Sequence, residues 1–553
     1  MKKFMKLNKK NIVVGVLSVF LLATSCDSFD LDVNENPNSP KVAAPDLILA
    51  NAISEGIALF ADNLNNATHG LMRITTSYDT YDMDPNDWNG TWNLLYSGPL
   101  KDLRDLKIAT EEVSPHYNGI AKILEAYYFS IMVDMWGDVP FDEAFQGDAE
   151  VQIKKPAYSD ALTIYGDLIT QIDEGIASLA LPTPVDVGGD PIYGGDADSW
   201  TTFAKTLKLK LLLNMKEVDN GMISEIQALV TENDLIGSDA GDDFDEYFVF
   251  QFNQSIDPDD RHPWYIDAYG GEDNSFDYIG HQFMVEMLRD VDPRISYYLK
   301  RQTTNTLDPE DPTDKQTLPC SQRTDCTYGY LVLNPNIDEL LDGNTPSNSV
   351  LAGYFGRDHG DPSGIPLDGA LRTAPGVYPV GGLYDDEAET VGGNNGNGAG
   401  IFPGMTGFMT KFMVAEAILT AGATGDARAI LETAIRESMV YVESVSLGLD
   451  EDTEAMDEAE IDAYVTASLA DYDAATNPLN VVMKQAWFAN FGNGFEMYNG
   501  YRRTGYPNDL QVSLQPVRGF PLRVPYTLDE INLNGANVPS TVFDVDPIFW
   551  DVD

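Results

Sequence analysis

The sequence predicts a mainly α fold, a helical scaffold at both ends of the chain with a loop-rich capping half between them. Two observations carry this. Apolar residues recur at helical spacing in several segments on either side of residues 290–405. Within those limits Pro, Gly, Asn and Asp dominate, as in Asn305–Thr317 and Gly392–Gly400, and the helical period is lost. A loop region of that length inside a globular chain is either functional or wrapped over a scaffold.

Residues 1–25 read as a secretory signal peptide. Met1–Lys10 carries Lys2, Lys3, Lys6, Lys9 and Lys10 with no acid, Ile12–Ala23 is an apolar run, and Ala23-Thr24-Ser25 places small residues before a cut site. The run is too short to span a bilayer. Cys26 follows directly and resembles the cysteine of the bacterial lipobox, whose thiol is diacylglycerylated before cleavage. Ala23 stands where Leu is commoner, with Leu21 and Leu22 beside it. Two outcomes stay open, lipidation at Cys26 and ordinary secretion with a free thiol. Residues 26–44 are acidic and Asn/Pro-rich, which reads as a lipidated tether, and one domain is expected over 45–553.

The helices come in order. Pro45–Asn65 aligns Leu47, Ile48, Ala52, Ile53, Ile57 and Phe60 on one stripe, and Tyr117–Trp136 repeats this with Ile120, Ile123, Leu124, Tyr127, Tyr128, Ile131 and Met135. Asp160–Leu179, Ser199–Val218 and Tyr278–Arg289 follow. Beyond the loop-rich insertion at 291–405, helices are expected at Thr410–Ala421, Asp426–Val442, Glu458–Ala470 and Asn480–Phe491. The scaffold therefore occupies 45–290 and 406–503, and residues 504–553 read as a C-terminal loop region. The pairs are similar to tetratricopeptide stacking, although no clean repeat signature occurs. No stretch after Cys26 is expected to be long and apolar enough for a membrane helix.

Composition narrows the function. The chain carries 88 Asp+Glu against 34 Lys+Arg; without the five lysines of residues 1–25, 29 basic residues face 88 acidic ones, a balance of -59. Such a charge repels nucleic acid and anionic headgroups, and it also keeps a protein soluble in a salty exterior. Hydrophobic residues make up 43%, enough for a large core. Of three cysteines, Cys320 and Cys326 lie close together in an exported chain, which suggests a disulfide across a local loop.

Four segments then resemble one family. Leu31-Asp-Val-Asn-Glu-Asn-Pro-Asn-Ser-Pro40 after a lipobox cysteine is similar to the opening segment of SusD/RagB-type lipoproteins of Bacteroidetes. Tyr127–Phe141, ending in Gly137-Asp-Val-Pro140, resembles their hallmark helix and turn. Phe412–Ile418 resembles their Ala-Glu-centred helix, and Tyr501-Arg-Arg-Thr-Gly-Tyr-Pro507 their late Arg-rich turn. The resemblance implies a helical fold of tetratricopeptide-like pairs with an irregular cap. It implies a surface-facing outer-membrane lipoprotein that sits on a SusC-like TonB-dependent transporter and captures a glycan, or in some branches a peptide, for import. Asp27, Asp30 and Asp32 resemble the acidic surface-export signal of these bacteria.

No enzyme constellation is present in the sequence. His69, His116, His262, His281 and His359 form no His-Glu-x-x-His pair, and neither a Gly-x-Ser-x-Gly elbow nor a phosphate-binding Gly-x-x-x-x-Gly-Lys-Ser/Thr loop occurs. A glycosidase-like carboxylate pair is the alternative that so many acids leave open. Aromatic residues in polar loops are the stronger signal, because a phenol or indole plane covers the apolar face of a sugar while Asn, Asp and Arg bond its hydroxyl rim. Three stretches fit. Tyr78 and Tyr81 run on to Trp88, Trp264 and Tyr265 follow Asp259-Asp-Arg-His-Pro, and Tyr354–Asp361 holds Arg357, Asp358 and His359. For the last three a salt-bridged loop brace is the competing reading. Trp92 and Trp136 read as core, and Arg502 and Arg503 as partners of helix-end carbonyls or buried acids. No cofactor is expected; calcium at Asp239–Glu246 lacks EF-hand spacing, and metal at Cys320 and Cys326 is the weaker reading there because two thiols cannot complete a structural zinc site.

Overall fold

A computed structural model describes residues 43–147, 152–238, 244–254, 260–269, 277–301, 311–323, 325–326, 329–330, 353–365, 367, 372–386, 396–514 and 518–552. Contacts divide the chain into Met1–Ala44 and Pro45–Asp553, and every described helix and strand belongs to the second unit. Cys26, the signal peptide and nearly all of the tether lie outside the described residues.

Helix α1 (Pro45–Leu59) continues through a π turn at Phe60–Leu64 into α2 (Asn65–Leu71). Contrary to the sequence expectation, this 27-residue stretch is long and apolar enough by composition to cross a membrane. Its apolar stripe is nevertheless core from Leu49 on, with Leu49, Ile53, Ile57, Phe60 and Leu64 buried, whereas Leu47, expected on the same stripe, is exposed. Helices α3 (Asn89–Ser97), α4 (Pro99–Thr110) and α5 (Pro115–Trp136) cover α1. Neither α3 nor α4 is expected from the sequence. In α4 Leu100, Leu103 and Leu106 are the buried aliphatic residues, with Pro99 and Thr110 at the ends, a stripe too narrow to stand out among its charged neighbours.

Helix α5 is buried almost all round and packs most extensively on α6 (Ala161–Leu179), which in turn meets α7 (Ala197–Met215), and α7 meets α8 (Ile223–Glu232). Asp160 and Asp196 cap α6 and α7 by accepting from the amides of Thr163 and Ser199, which explains why these helices begin one residue after the first and two before the second expected start. Gly137 ends α5 at a φ of 81°, a conformation that favours glycine; a Cβ there would also collide with the Arg523 guanidinium at 2.4 Å.

Short antiparallel strands tie the loop-rich part to the scaffold. β1 (Thr75–Thr76) pairs with β3 (Tyr278–Ile279), β2 (Phe248–Gln251) with β6 (Ile401–Met405), and β4 (Leu299–Lys300) with β5 (Ala374–Pro375). Between them lie α9 (Pro263–Tyr269), α10 (His281–Arg289) and α11 (Ile295–Tyr298). The helix expected at Tyr278–Arg289 therefore begins three residues late, since its first two residues are spent on pairing with β1. The late helices are α12 (Gly407–Ala421), α13 (Ala427–Leu449), α14 (Glu458–Ala474), α15 (Pro478–Ala489) and α16 (Gly494–Thr504). The tail is not loop throughout, because α17 (Leu528–Asn534) forms there.

Three of the resembling motifs converge in buried polar networks. Asp134 in α5 accepts from Tyr165, from Asn499 Nδ2 at 2.7 Å and from Trp550 Nε1 at 3.2 Å, while Arg502 Nη2 donates to the Asp134 carbonyl at 2.8 Å. Arg503 binds both carboxylate oxygens of Glu416 in α12, at 2.8 and 2.7 Å. The motif residues thus join α5, α12, α16 and the tail.

Candidate binding cleft

Three chain segments are knitted together next to β1. The β1–β3 pairing is extended by Gly280, whose amide donates to the Ile74 carbonyl at 2.7 Å, and by a parallel bridge to Arg357. A Cβ on Gly280 would lie 1.9 Å from the Arg73 carbonyl oxygen, so only glycine permits this approach. The pairing brings Ser77, Tyr78 and Asp79 beside Asp277, Tyr278, Arg357 and Arg372 around a cleft of about 510 Å³.

Tyr78 stands on a turn held by its own hydrogen bonds. The Ser77 amide donates to Thr80 Oγ1 at 3.1 Å, and Ser77 Oγ donates to Asp79 at 2.6 Å. Its side chain is 43% exposed, and it is the only exposed large aromatic residue among those described. Behind it the buried Tyr278 ring carries two guanidinium groups, Arg357 at 4.5 Å and Arg372 at 4.6 Å from its centroid. Arg357 Nη1 also donates to the carbonyls of Asp361 and Ser363, both at 2.8 Å. Asp277 keeps solvent exposure at the mouth, yet the surrounding walls strip away much of its hydration. That desolvation, aided by Asp79 and Asp267 against the pull of Arg372 and Arg357, pushes its carboxyl up to about 6.

Of the residues expected to contact ligand, only Tyr78 and Arg357 border this cleft. Trp264 is not in a loop: Pro263 opens α9, and the indole is 1% exposed against His69 and Phe491, with its Nε1 donating to Asn66. Tyr265 is buried beside it and stacks on Tyr269. Trp88 ends a short 3-10 turn, Pro85–Trp88, and is buried edge-on against Trp136. Tyr81 is buried as well, receiving a hydrogen bond from Arg73 and meeting the His359 ring at 5.1 Å. These four offer no open plane to a sugar. Polar sequence context gives no measure of how deeply a loop is later covered.

Asp358 and His359 are buried and do not line the cleft. Asp358 accepts from the Tyr330 amide at 2.8 Å and from Gln511 at 3.1 Å, and His281 Nδ1 lies 3.5 Å away. Burial disfavours its charge, but these donors hold its carboxyl below the usual range. Burial, reinforced by Arg73, drives His359 well below the usual histidine range, so its ring is neutral. The residues that a sequence reading misses are Asp277, Tyr278 and Arg372, which carry no local signal; Asp277 and Tyr278 reach Tyr78 through the β1–β3 pairing, and Arg372 comes from the segment before β5.

Cys320 and Cys326 are joined with their Cα atoms 5.3 Å apart, within the ordinary disulfide range. Cys320, Asp358 and Asp361 cluster as potential metal ligands, but the Cys320 sulfur is engaged by Cys326 and supplies no thiolate. The calcium reading at Asp239–Glu246 falls largely outside the described residues, which resume at Phe244. A second cleft of about 600 Å³ lies between Asp82–Pro85 and the tail; Pro, Val and Ile line it together with an Arg518–Asp82 ion pair at 3.4 Å, and its Tyr526 and Phe543 rings are buried. Both clefts hold guanidinium and carboxylate groups, but among the described residues the cleft at Tyr78 is the one with an exposed aromatic face.

A helical scaffold that presents such a cleft is suited to holding a polar, ring-bearing ligand. The chain belongs to the SusD-like family, described as starch-binding and associating with the outer membrane, whose model matches residues 37–315 and 387–526. This bears out the resemblance drawn from the sequence. A SusD/RagB family protein from Bacteroides thetaiotaomicron shares 18% identity and a TM-score of 0.68, over 92% of this chain and 99% of that one. A SusD homologue from Bacteroides fragilis aligns over the same shares, at 16% identity and a TM-score of 0.66. A chitin-binding SusD homologue from Flavobacterium johnsoniae aligns over 92% of this chain and 98% of its own, at 16% identity and a TM-score of 0.61. These structures share the mainly helical fold. No curated protein matches the chain.

Proposed function

We propose that the chain is a cell-surface lipoprotein that captures a polysaccharide or oligosaccharide in the Tyr78 cleft and delivers it to a SusC-like TonB-dependent transporter. It works by binding and hand-over, without cleaving the glycan. The observation that carries this reading is Tyr78, one open aromatic plane on a self-braced turn, beside groups that donate to and accept from hydroxyls. Membership of a family described as starch-binding supports it. A rigid platform costs little ordering entropy when a sugar settles on it.

Tyr78→Ala is expected to weaken glycan binding by about 1–3 kcal/mol, the usual size for an aromatic anchor. Because the ring is exposed, stability should stay within about 0.5 kcal/mol of wild type. Calorimetric titration with thermal melts measures both. Unchanged affinity for a glycan that wild type binds would move the site elsewhere, and release of reducing ends from that glycan would favour the hydrolase reading. Membrane attachment is tested separately. Cys26→Ser should shift the protein from the outer-membrane fraction to the soluble fraction, with loss of labelled fatty acid; a wild type that takes up no label contradicts the anchor.

A further inference from the structure

The cleft beside Tyr78 is balanced in charge, inside a chain that is strongly acidic overall. Its walls hold two guanidiniums, Arg357 and Arg372, and two carboxylates, Asp79 and Asp277. Three of these groups have structural duties. Arg357 is fully buried and donates to two backbone carbonyls, Arg372 lies against the Tyr278 ring, and Asp79 accepts from Ser77 within the turn. Asp277 differs. It directly precedes β3, is exposed at the mouth, and accepts no hydrogen bond from any described residue.

We propose that Asp277 makes this cleft a charge filter, which admits uncharged, hydroxyl-rich glycans and rejects glycans that carry uronate groups. The inference rests on the glycan-binding reading of the same cleft. A hydroxyl both donates and accepts, so Asp277 can bond a neutral sugar rim without bringing like charges together. A uronate entering the cleft meets two carboxylates, Asp277 and its like-charged neighbour Asp79. Of the two cations, Arg357 is buried against Tyr278 and committed to carbonyls, and Arg372 is half-buried over the same ring. Like charges at such separations discriminate against the wrong ligand more strongly than they help the right one. The surplus acid of the whole chain adds a longer-range repulsion, screened by salt beyond about 8–10 Å.

The charged groups facing Asp277 are Asp79 on the turn after β1, Asp267 on α9, and Arg357 and Arg372 on the segments flanking β3. With its carboxyl raised to about 6, chiefly by desolvation, Asp277 is ionised at pH 7.5 and largely neutral at pH 5. Acid therefore relaxes the filter.

The test uses the purified mature protein in native affinity gels and on a glycan array. The neutral probes are starch, galactomannan and chitin oligosaccharides; the acidic ones are polygalacturonate and alginate. At pH 7.5 wild type should bind neutral glycans and neither polyuronate. Asp277→Asn should raise the ratio of polyuronate to neutral binding by roughly tenfold or more, the effect of removing one nearby unit charge. Wild type at pH 5 should move in the same direction, and the variant should show little further change with pH. Wild-type binding to a polyuronate at pH 7.5 overturns the filter and leaves the glycan reading standing. An unchanged ratio in a variant that melts like wild type removes Asp277 as the selecting group. Binding to no glycan on the array, with peptides bound instead, overturns the glycan reading and the filter with it.

Discussion

Replacing Arg503 by leucine is expected to remove about 3–5 kcal/mol of stability, because it strands a carboxylate in the core. Glu416 is 1% exposed, and Arg503 meets both of its oxygens while its third nitrogen donates to Asn214 at 2.6 Å. Lys216, 3.7 Å away, is too far to replace that fork. Burial alone would raise the Glu416 carboxyl; Arg503 and Lys216 overcome this and hold it below its ordinary 4.5. A depressed carboxyl contributes stability above its unfolded value and loses that contribution as pH falls through the folded one. The gap between wild type and variant should therefore be largest near pH 7 and narrow below about pH 4.5. Urea unfolding at both pH values measures it. Replacing Glu416 and Arg503 together by leucine should recover much of the loss, and an unchanged urea midpoint in Arg503→Leu would refute the account.

Trp264→Ala should cost about 3–5 kcal/mol, the range for truncating a buried aromatic residue. The indole fills the space between α2, α9 and Phe491, with its ring 4.6 Å from His69 and 5.7 Å from Phe491. Its removal leaves a cavity and takes the Nε1 donor from Asn66. The effect should appear in thermal melts, while the protein that remains folded should bind glycan with wild-type affinity. Weakened binding at unchanged stability would restore the ligand role that the sequence context suggests.

The two substitutions mark where sequence reading succeeds and where it stops. Arg503 and Glu416 sit in motifs legible from the chain, and the expectation that Arg503 serves a buried acid matches the geometry. Trp264 lies among Asp, Arg, His and Pro, a composition that reads as a solvated loop. That composition instead opens α9, and the surrounding chain covers it.

The sequence by itself determined the helical class, the family and the positions of the longest helices. These depend on periodicities that close within a few residues. Tertiary structure alone decided which aromatic stays open and which charges line the cleft. Burial at Trp88, Tyr81, Trp264 and Tyr265 comes from segments distant in sequence. Tyr78 remains exposed because its turn projects from the β1–β3 pairing, and that same pairing brings Asp277 and Tyr278 beside it. Register between two strands about two hundred residues apart leaves no periodic trace in either, so the cleft could not be read from the chain.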